Sequence, residues 1–177
     1  MGYAVLVSDL TALDRPQGRD LTEEELLAYV RDVAARPALW QDRVAHDPDH
    51  RHYVELLRDA HVAMWLICWM DEQDTGFHDH DLSAGAVAVV AGEVREDRLT
   101  LGGPPRSRTA RTGEAFTFSA AAIHRVQHVP GTPAVTIHAY SPPLWRMGAY
   151  EVQEDGSLRR HAISYAEELR PLEPAGA

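Results

Sequence analysis

The chain has 177 residues and a formal net charge of −10, and all of its basic residues are arginines. The acidic balance argues against a nucleic-acid surface or attachment to anionic lipid, and the lack of lysine excludes Schiff-base chemistry. With no apolar run of about 18 residues and no signal-peptide pattern, we expect a cytoplasmic protein that does not associate with membranes. Its partners are then small molecules, and we expect a monomer or a weak homodimer.

A small helical cap is predicted for residues from about 20 to 46. Thr22 precedes three glutamates, as in a capping box, and apolar residues recur at helical spacing from Leu21 to about Arg36. A second short helix is predicted from Pro37 to Val44, because proline is favoured in the first turn of a helix.

Short β-like runs follow, and they predict a β-barrel or sandwich over residues from about 50 to 163. Turn-forming pairs such as Gly-Pro, Asp-Gly and Pro-Gly separate the runs. The predicted strands are Tyr53–Leu57, Val62–Trp69, Ala86–Ala91, Glu93–Leu101, Ala115–Phe118, His124–His128, Ala134–Tyr140, Ala149–Gln153 and Ser157–Ile163. Cys68, the one cysteine, is predicted to be a reduced, buried thiol. Residues 164–177 complete a single domain over 1–177 as a C-terminal tail, which we expect to fray over Pro171–Ala177.

Two histidines one residue apart, His78 and His80, are the first specific feature of the sequence. Side chains at alternate positions of a strand leave the same face, so both imidazoles can approach one point. Imidazole nitrogens suit iron, zinc, copper or nickel. A third histidine, His124, lies in a later stretch of similar pattern, and the three together can close one side of a metal site.

The spacing around these histidines resembles the two motifs of the cupin superfamily. After His78 and His80 come Gly85 and, beyond six further residues, Gly92, at the intervals of the first motif. The positions that match the second motif in spacing are Gly113, Ser119, Ala121, His124 and His128. This resemblance implies a mainly β fold, a jelly-roll-like cupin barrel. Gly85 replaces the glutamate of the first motif, which leaves three neutral ligands.

The resemblance narrows to the cysteine dioxygenase family over roughly residues 20–163. The segments that resemble its signatures, in the same order, are Trp65–Gly92, Ile123–Val126 and Thr136–Pro143. It implies that His78, His80 and His124 bind Fe(II) and that a substrate thiolate joins the metal. Both atoms of O2 then add to sulfur to give a sulfinic acid. The implied partners are O2 and a small thiol, cysteine or a relative of it.

Thr136, His138 and Tyr140 alternate along one predicted strand, so they share a face as a hydrogen-bonding row. The row resembles the Ser-His-Tyr triad of the family, with threonine in place of serine. This implies that His138 orients Tyr140, whose phenol hydrogen-bonds substrate or oxygen. In mammalian members a cysteine forms a thioether with the tyrosine, and Gly85 takes its position here. The crosslink cannot form, and Tyr140 stays a free phenol.

The residues for substrate recognition depart from the family pattern. The family places an arginine two residues after an aromatic on an early strand, where it binds the substrate carboxylate. Here Tyr53 takes the aromatic position and Glu55 the arginine position. Glu55 would attract an amine instead, unless the strand shifts to bring Arg58 into the pocket or Arg125 substitutes. Trp69 is a further candidate for the pocket wall.

Three functions are open from the sequence. The first is a non-haem Fe(II) thiol dioxygenase of the cysteine dioxygenase type. The second keeps the three-histidine iron but acts on an amine-bearing or non-thiol substrate. The third is a non-catalytic metal-binding cupin, against which the polar row argues, because a binding module has no need of a relay.

Overall fold

The computed structural model describes residue 10, residues 13–153 and residues 157–164 of the chain. An α-helix and two short 3-10 helices precede eleven β-strands among these residues. None of the described helices is long and apolar enough to cross a membrane. The predicted fraying tail, Pro171–Ala177, lies outside the described residues.

The first predicted helix is confirmed, with bounds at Glu23–Ala34 (α1). Its capping box is formed: Glu25 N donates to Thr22 Oγ1 at 3.2 Å, and Thr22 N donates to the Glu25 carboxylate at 2.8 Å. The side chains that α1 buries are Leu26, Tyr29, Val30 and Val33. They cover one face of a β-sheet, so the helix acts as the expected cap.

The second predicted helix, Pro37–Val44, is wrong. Two 3-10 helices stand in its place, at Pro37–Leu39 and Gln41–Arg43. Between them the backbone of Trp40 leaves the helical conformation, with φ of −148° and ψ of −21°. This turn lets the Trp40 indole N–H donate to the carbonyl oxygen of Val33 at 3.1 Å, which anchors the segment beneath α1.

The strands form two antiparallel sheets. Their bounds are β1 (His52–Arg58), β2 (Ala63–Trp69), β3 (Phe77–Asp79), β4 (Ala84–Ala91), β5 (Glu93–Thr100), β6 (Gly103–Arg111), β7 (Ala115–Phe118), β8 (His124–His128), β9 (Ala134–Ser141), β10 (Arg146–Val152) and β11 (Leu158–Ser164). The five-stranded sheet has the order β1-β2-β9-β4-β7, and the six-stranded sheet has the order β11-β10-β3-β8-β5-β6. The prediction of a mainly β fold with an N-terminal helical cap is confirmed.

One long strand, β6, was not among the predicted strands. It pairs along its length with β5, and its residues are exposed except Ala110. An edge strand with one buried side chain and two prolines shows no apolar alternation, so its sequence gives no strand signal.

The continuous apolar run of β2 serves two cores. Met64, Leu66 and Cys68 pack on the helix side of the five-stranded sheet. Trp65, Ile67 and Trp69 pack in the barrel interior, between the two sheets. A strand that is buried on both faces has no polar alternation, which explains why this run is wholly apolar. The interior face carries the residues of the candidate site.

Candidate metal centre and neighbouring row

The three candidate metal ligands come together inside the barrel. His78 lies on β3 and pairs across the ladder with His124 of β8, and His80 follows the end of β3. Taking one ligand atom from each side chain, the atoms lie within 4.8 Å of one another, and all three residues are buried. Three imidazoles this close form a group that could hold one metal ion.

The remote nitrogens of two of these imidazoles hydrogen-bond to protein oxygens. His78 Nδ1 lies 3.0 Å from the carbonyl oxygen of Gly76, and His124 Nδ1 lies 2.6 Å from Oε1 of Glu96. A histidine that donates from Nδ1 offers Nε2 as the ligand atom. Both nitrogens of His80 are buried and have no hydrogen-bond partner within the described residues. Because buried polar atoms are rarely left unsatisfied, His80 fits a metal ligand.

Burial favours the neutral form of these imidazoles. It lowers the pKa of His80 and of His124 well below the usual histidine value, and the neighbouring His78 lowers both further. A neutral imidazole keeps a lone pair on one nitrogen, which a metal ion can use. At neutral pH His80 and His124 are therefore unprotonated, and each can offer a nitrogen to a metal ion.

Glu96 is a buried carboxylate behind the histidines that was not predicted from sequence. It is 2% exposed, and besides His124 it accepts hydrogen bonds from Arg98 Nε at 3.0 Å and Arg108 Nε at 2.5 Å. A carboxylate on the remote nitrogen of a ligating histidine fixes both its tautomer and its ring orientation. The available signal was the alternation on β5, where Glu96 follows the inward-facing Val94 at the strand period of two.

Asp79 lies between His78 and His80 in the chain and faces the opposite side of the sheet. Its carboxylate accepts hydrogen bonds from Tyr150 OH at 2.6 Å and from Arg160 Nε at 2.7 Å. Burial raises the pKa of Asp79, but the hydrogen bonds from Arg160 and Tyr150 outweigh it, so the pKa is lowered overall. These contacts tie β3 to β10 and β11 and restrict the strand that carries the first candidate ligand.

Thr136, His138 and Tyr140 form a continuous hydrogen-bonded row on β9. Thr136 Oγ1 lies 2.8 Å from His138 Nε2, and His138 Nδ1 lies 3.3 Å from Tyr140 OH. At the far end, Trp69 Nε1 donates to Thr136 Oγ1 at 2.8 Å. At the near end, the Tyr140 ring centroid is 5.3 Å from that of His80. The row thus runs from a buried indole to the edge of the three histidines.

His138 is the neutral centre of this row. Burial lowers its pKa to about 3, and the charge of Arg51 contributes. A neutral imidazole donates at one nitrogen and accepts at the other, so the row has two arrangements. Either Thr136 donates to His138 and His138 to Tyr140, or both bonds reverse and Thr136 donates to the Ile67 carbonyl oxygen at 3.5 Å.

Arg51 lies at the Trp69 end of the row and was not singled out from the sequence. It is 7% exposed, and its guanidinium carbon lies 5.1 Å from the centroid of the Trp69 ring. Its NH1 donates to the Asp74 carbonyl oxygen at 3.0 Å. Trp69 is fully buried and its indole N–H is bonded to Thr136. Its contact is with the row, and its assignment to the substrate pocket stays a prediction.

A β-bulge in β1 determines which side chains face the interior at the Tyr140 end. The register against β2 shifts between Glu55 and Leu57, and Leu56 and Leu57 both pack on the helix side. Arg58 then falls in the same cross-strand row as Tyr140. Glu55 and Arg58 therefore share the interior face, although they are three residues apart. This is the strand shift that was left open from the sequence.

Glu55 and Arg58 form an ion pair, with 2.8 Å between Oε2 and Nε. The Arg58 guanidinium lies over the rings of Trp65 and Trp145, at 5.9 and 5.1 Å from their centroids. The Tyr53 ring lies 6.0 Å from Trp65, which extends this group across β1 and β2. The negative charge of Glu55 is thus balanced by a guanidinium held between two indoles.

The alternative assignment of Arg125 to the pocket is wrong. It lies between the inward-facing residues His124 and Val126 on β8, so its side chain leaves the opposite face. There its Nε donates to Asp97 Oδ2 at 3.0 Å.

Residues 13–153 match the family model described as cysteine dioxygenase type I. The chain belongs to the cysteine dioxygenase family. Cysteine dioxygenase type 1 of Rattus norvegicus is 26% identical to it over 159 residues, which cover 84% of this chain and 78% of the relative. The Bos taurus protein of the same name is 23% identical over 145 residues, which cover 76% and 72% of the two chains.

Solved structures support the fold of this cysteine dioxygenase family member. A Thermus thermophilus protein superposes with a TM-score of 0.52 and 17% identity, over 58% of this chain and 93% of the other. A Klebsiella pneumoniae protein with a double-stranded β-helix domain gives 0.51 and 13%, over 58% and 80%. At these identities the likeness concerns the fold alone, and the expected cupin barrel is confirmed.

Proposed function

We propose that this protein is a non-haem Fe(II) thiol dioxygenase that converts a small thiol and O2 into a sulfinic acid. The observation that carries the proposal is the buried three-histidine group with the Tyr140 row at its edge. Three neutral imidazoles leave the charge of a divalent cation uncancelled. Such a site favours an anionic thiolate as a further partner.

His78, His80 and His124 are the proposed iron ligands, and their donor set fits Fe(II). When bound, Fe(II) supplies the redox chemistry that lets O2 react with the thiolate sulfur. The overall change, RSH + O2 → RSO2⁻ + H⁺, uses both oxygen atoms, needs no external reductant and releases the thiol proton. The protein must therefore orient the thiol, exclude water and control one proton beside the sulfur.

Tyr140 is the group proposed to control that proton. Its phenol lies at the end of the row nearest the histidines and 3.3 Å from His138 Nδ1. Because His138 is neutral, it can either donate to the phenol oxygen or accept its proton. Thr136, which receives the Trp69 N–H, fixes the other side of the imidazole. The row is thus proposed to hold the phenol toward substrate in either proton arrangement.

Arg58 is the proposed partner for a substrate carboxylate, which makes cysteine or 3-mercaptopropionate the expected substrate class. Guanidinium groups bind carboxylates through two parallel hydrogen bonds. Glu55 would repel such a substrate if it stood alone, but its ion pair with Arg58 offsets its charge. Tyr53 lies on the same face of β1, next to Trp65 and in the cross-strand row of Thr136. It is proposed as a substrate contact.

The direct test is oxygen consumption by anaerobically iron-loaded protein, offered cysteine, 3-mercaptopropionate and cysteamine separately, with products identified by mass. We expect sulfinate from one or both carboxylate-bearing thiols. Sulfinate from cysteamine alone would instead make Glu55 an amine anchor. No oxygen uptake with any thiol would contradict the proposal and favour a non-thiol substrate or a metal-binding module.

The arginine assignment has a matched control within the chain. Arg58→Gln should raise the KM for a carboxylate-bearing thiol by roughly 10- to 100-fold, because a charged hydrogen bond is lost. Arg125→Gln removes an arginine from the opposite face of the barrel wall and should leave that KM unchanged. Equal KM values for the two variants would contradict the role of Arg58.

A further inference from the structure

Gly85 and Phe118 compete for the same space in the barrel interior. They are directly opposite on the β4–β7 ladder, and Gly85 is also opposite Tyr140 on β9. A Cβ added at Gly85 would lie 2.1 Å from Cζ of Phe118 and within 3 Å of two further ring carbons. The Phe118 ring therefore lies on the glycine backbone, in the space that any other side chain at that position would need.

The same ring contacts the proposed metal ligands. Its centroid lies 4.4 Å from that of His80, in a stacked arrangement with 24° between the planes, and 4.4 Å from that of His124. The Tyr140 ring is 6.1 Å away. Phe118 is 1% exposed, so it has little freedom to move from these contacts.

His80 depends on packing more than the other two histidines do. His78 and His124 each have a hydrogen bond from Nδ1 to a protein oxygen. His80 has no such bond to any described residue. Its ring is instead held by aromatic neighbours: Phe118 stacks on it at 4.4 Å, Tyr140 lies at 5.3 Å, and the other two histidines meet it edge-on. The stack with Phe118 is the contact that runs along the ring plane.

We propose that Phe118 is a positioning residue that sets the orientation of His80 and the place of Tyr140 by filling the space above Gly85. Only the effect of Phe118 on turnover rests on the proposed function. The orientation of His80 concerns the metal geometry alone, whatever the substrate. Gly85 is part of the same arrangement, because a side chain at that position would displace the Phe118 ring that orients His80.

The test uses Co(II)-substituted protein, whose visible absorption spectrum reports the geometry around the metal, together with iron-loaded protein for turnover. The variants are Phe118→Ala, Phe118→Leu, Gly85→Ala and the double variant Gly85→Ala/Phe118→Leu. Leu66→Ala is the control, because Leu66 is fully buried on the helix side of the same sheet and its loss destabilises the fold without touching the interior.

Phe118→Ala and Gly85→Ala should both change the Co(II) spectrum, the first by removing the stack and the second by displacing the ring. Phe118→Leu, which keeps bulk, should change it less. In the double variant the smaller side chain makes room for the added methyl, so the spectrum should move back toward that of the wild type. With an active enzyme, kcat should fall by about 100-fold in Phe118→Ala, as expected for misplaced catalytic groups.

A Co(II) spectrum that is the same in Phe118→Ala, Gly85→Ala and Leu66→Ala as in the wild type would overturn the proposal. So would a double variant whose spectrum departs further than that of Gly85→Ala alone. If no thiol is oxidised, the dioxygenase proposal fails while the Co(II) comparison still decides whether Phe118 orients His80.

Discussion

The two sheets contribute to the same interior in different ways. On the six-stranded sheet, the candidate ligands are backed by charge: Glu96 with Arg98 and Arg108 behind His124, and Asp79 with Arg160 beside His78. On the five-stranded sheet, the row on β9 is hydrogen-bonded to neutral groups, a buried indole and backbone, and the charge of Arg51 lies over that indole rather than on the row. Charged partners give a ligand one fixed orientation, whereas a neutral row keeps two proton arrangements of similar geometry.

This difference predicts that the two halves fail in distinguishable ways. Damage to the six-stranded side should appear first as lost metal, since its contacts hold the ligands. Damage to the five-stranded side should leave the metal in place and appear as slow turnover. The following predictions test that division, from the largest expected effect to the smallest.

His124→Ala should abolish iron loading, because two imidazoles do not complete the site. Metal analysis after anaerobic reconstitution measures it. His128→Ala is the matched control: His128 lies on the same strand and face, but its Nε2 lies 3.1 Å from the Thr132 carbonyl oxygen and its Nδ1 lies 3.0 Å from the Asp71 carboxylate. Full iron content in His124→Ala would contradict the ligand assignment.

Tyr140→Phe should retain iron and lower kcat by roughly 100- to 10,000-fold, the usual range for a lost general acid or base. Oxygen consumption with the preferred thiol, normalised to iron content, measures this. Tyr29→Phe removes a buried phenol that donates to the Leu10 carbonyl oxygen on the helix side, and should not affect turnover. Unchanged turnover in Tyr140→Phe would contradict the proton-transfer role and mean that the row on β9 only contributes to packing.

Glu96→Gln should weaken metal affinity by about 10- to 100-fold, because His124 loses its charged partner. Competition with a chelator of known affinity gives the ratio of dissociation constants. Asp97→Asn changes the next carboxylate, which faces the other side and binds Arg95 and Arg125, and should keep wild-type affinity. An equal loss in both variants would mean that Glu96 acts only through general stability.

His138 should make stability depend on pH. Its pKa is about 3 in the folded chain and about 6.5 when unfolded, so only the unfolded state takes up the proton between these values. Above pH 6.5 the titration of His138 leaves the free energy of unfolding unchanged. Below pH 6.5 it lowers the free energy of unfolding by about 1.4 kcal/mol per pH unit. Denaturant unfolding from pH 7 to 5 should show a steeper loss for the wild type than for His138→Gln. Parallel curves would contradict the buried neutral state.

The histidine pair of β3 and the polar row of β9 could be predicted from sequence because their geometry is local, whereas the place of His124 depended on the family resemblance. Alternate positions on a strand share a face, so the pairing of His78 with His80, and of Thr136 with His138 and Tyr140, follows from spacing alone. The strand β2 could also be predicted, from its long apolar run.

The features that were missed depend on strand pairing or have no pattern of their own in the sequence. Glu96 is a charged residue in a polar stretch, and only the ladder between β5 and β8 brings it behind His124. The exposed edge strand β6 has no periodic signal. The bulge in β1 is visible only in the register against β2, since nothing local in Leu56 and Leu57 marks an extra residue.

That bulge has a consequence for how specificity can evolve in this barrel. Adding or removing one residue in a strand reverses the face of every side chain beyond it. A recognition group can thus enter or leave the cavity by a one-codon insertion or deletion, with no exchange of amino acids in the wall. Sequence positions and spatial positions then diverge: the resemblance puts Glu55 at the position of the family arginine, while the guanidinium proposed to bind substrate belongs to Arg58, three residues further on.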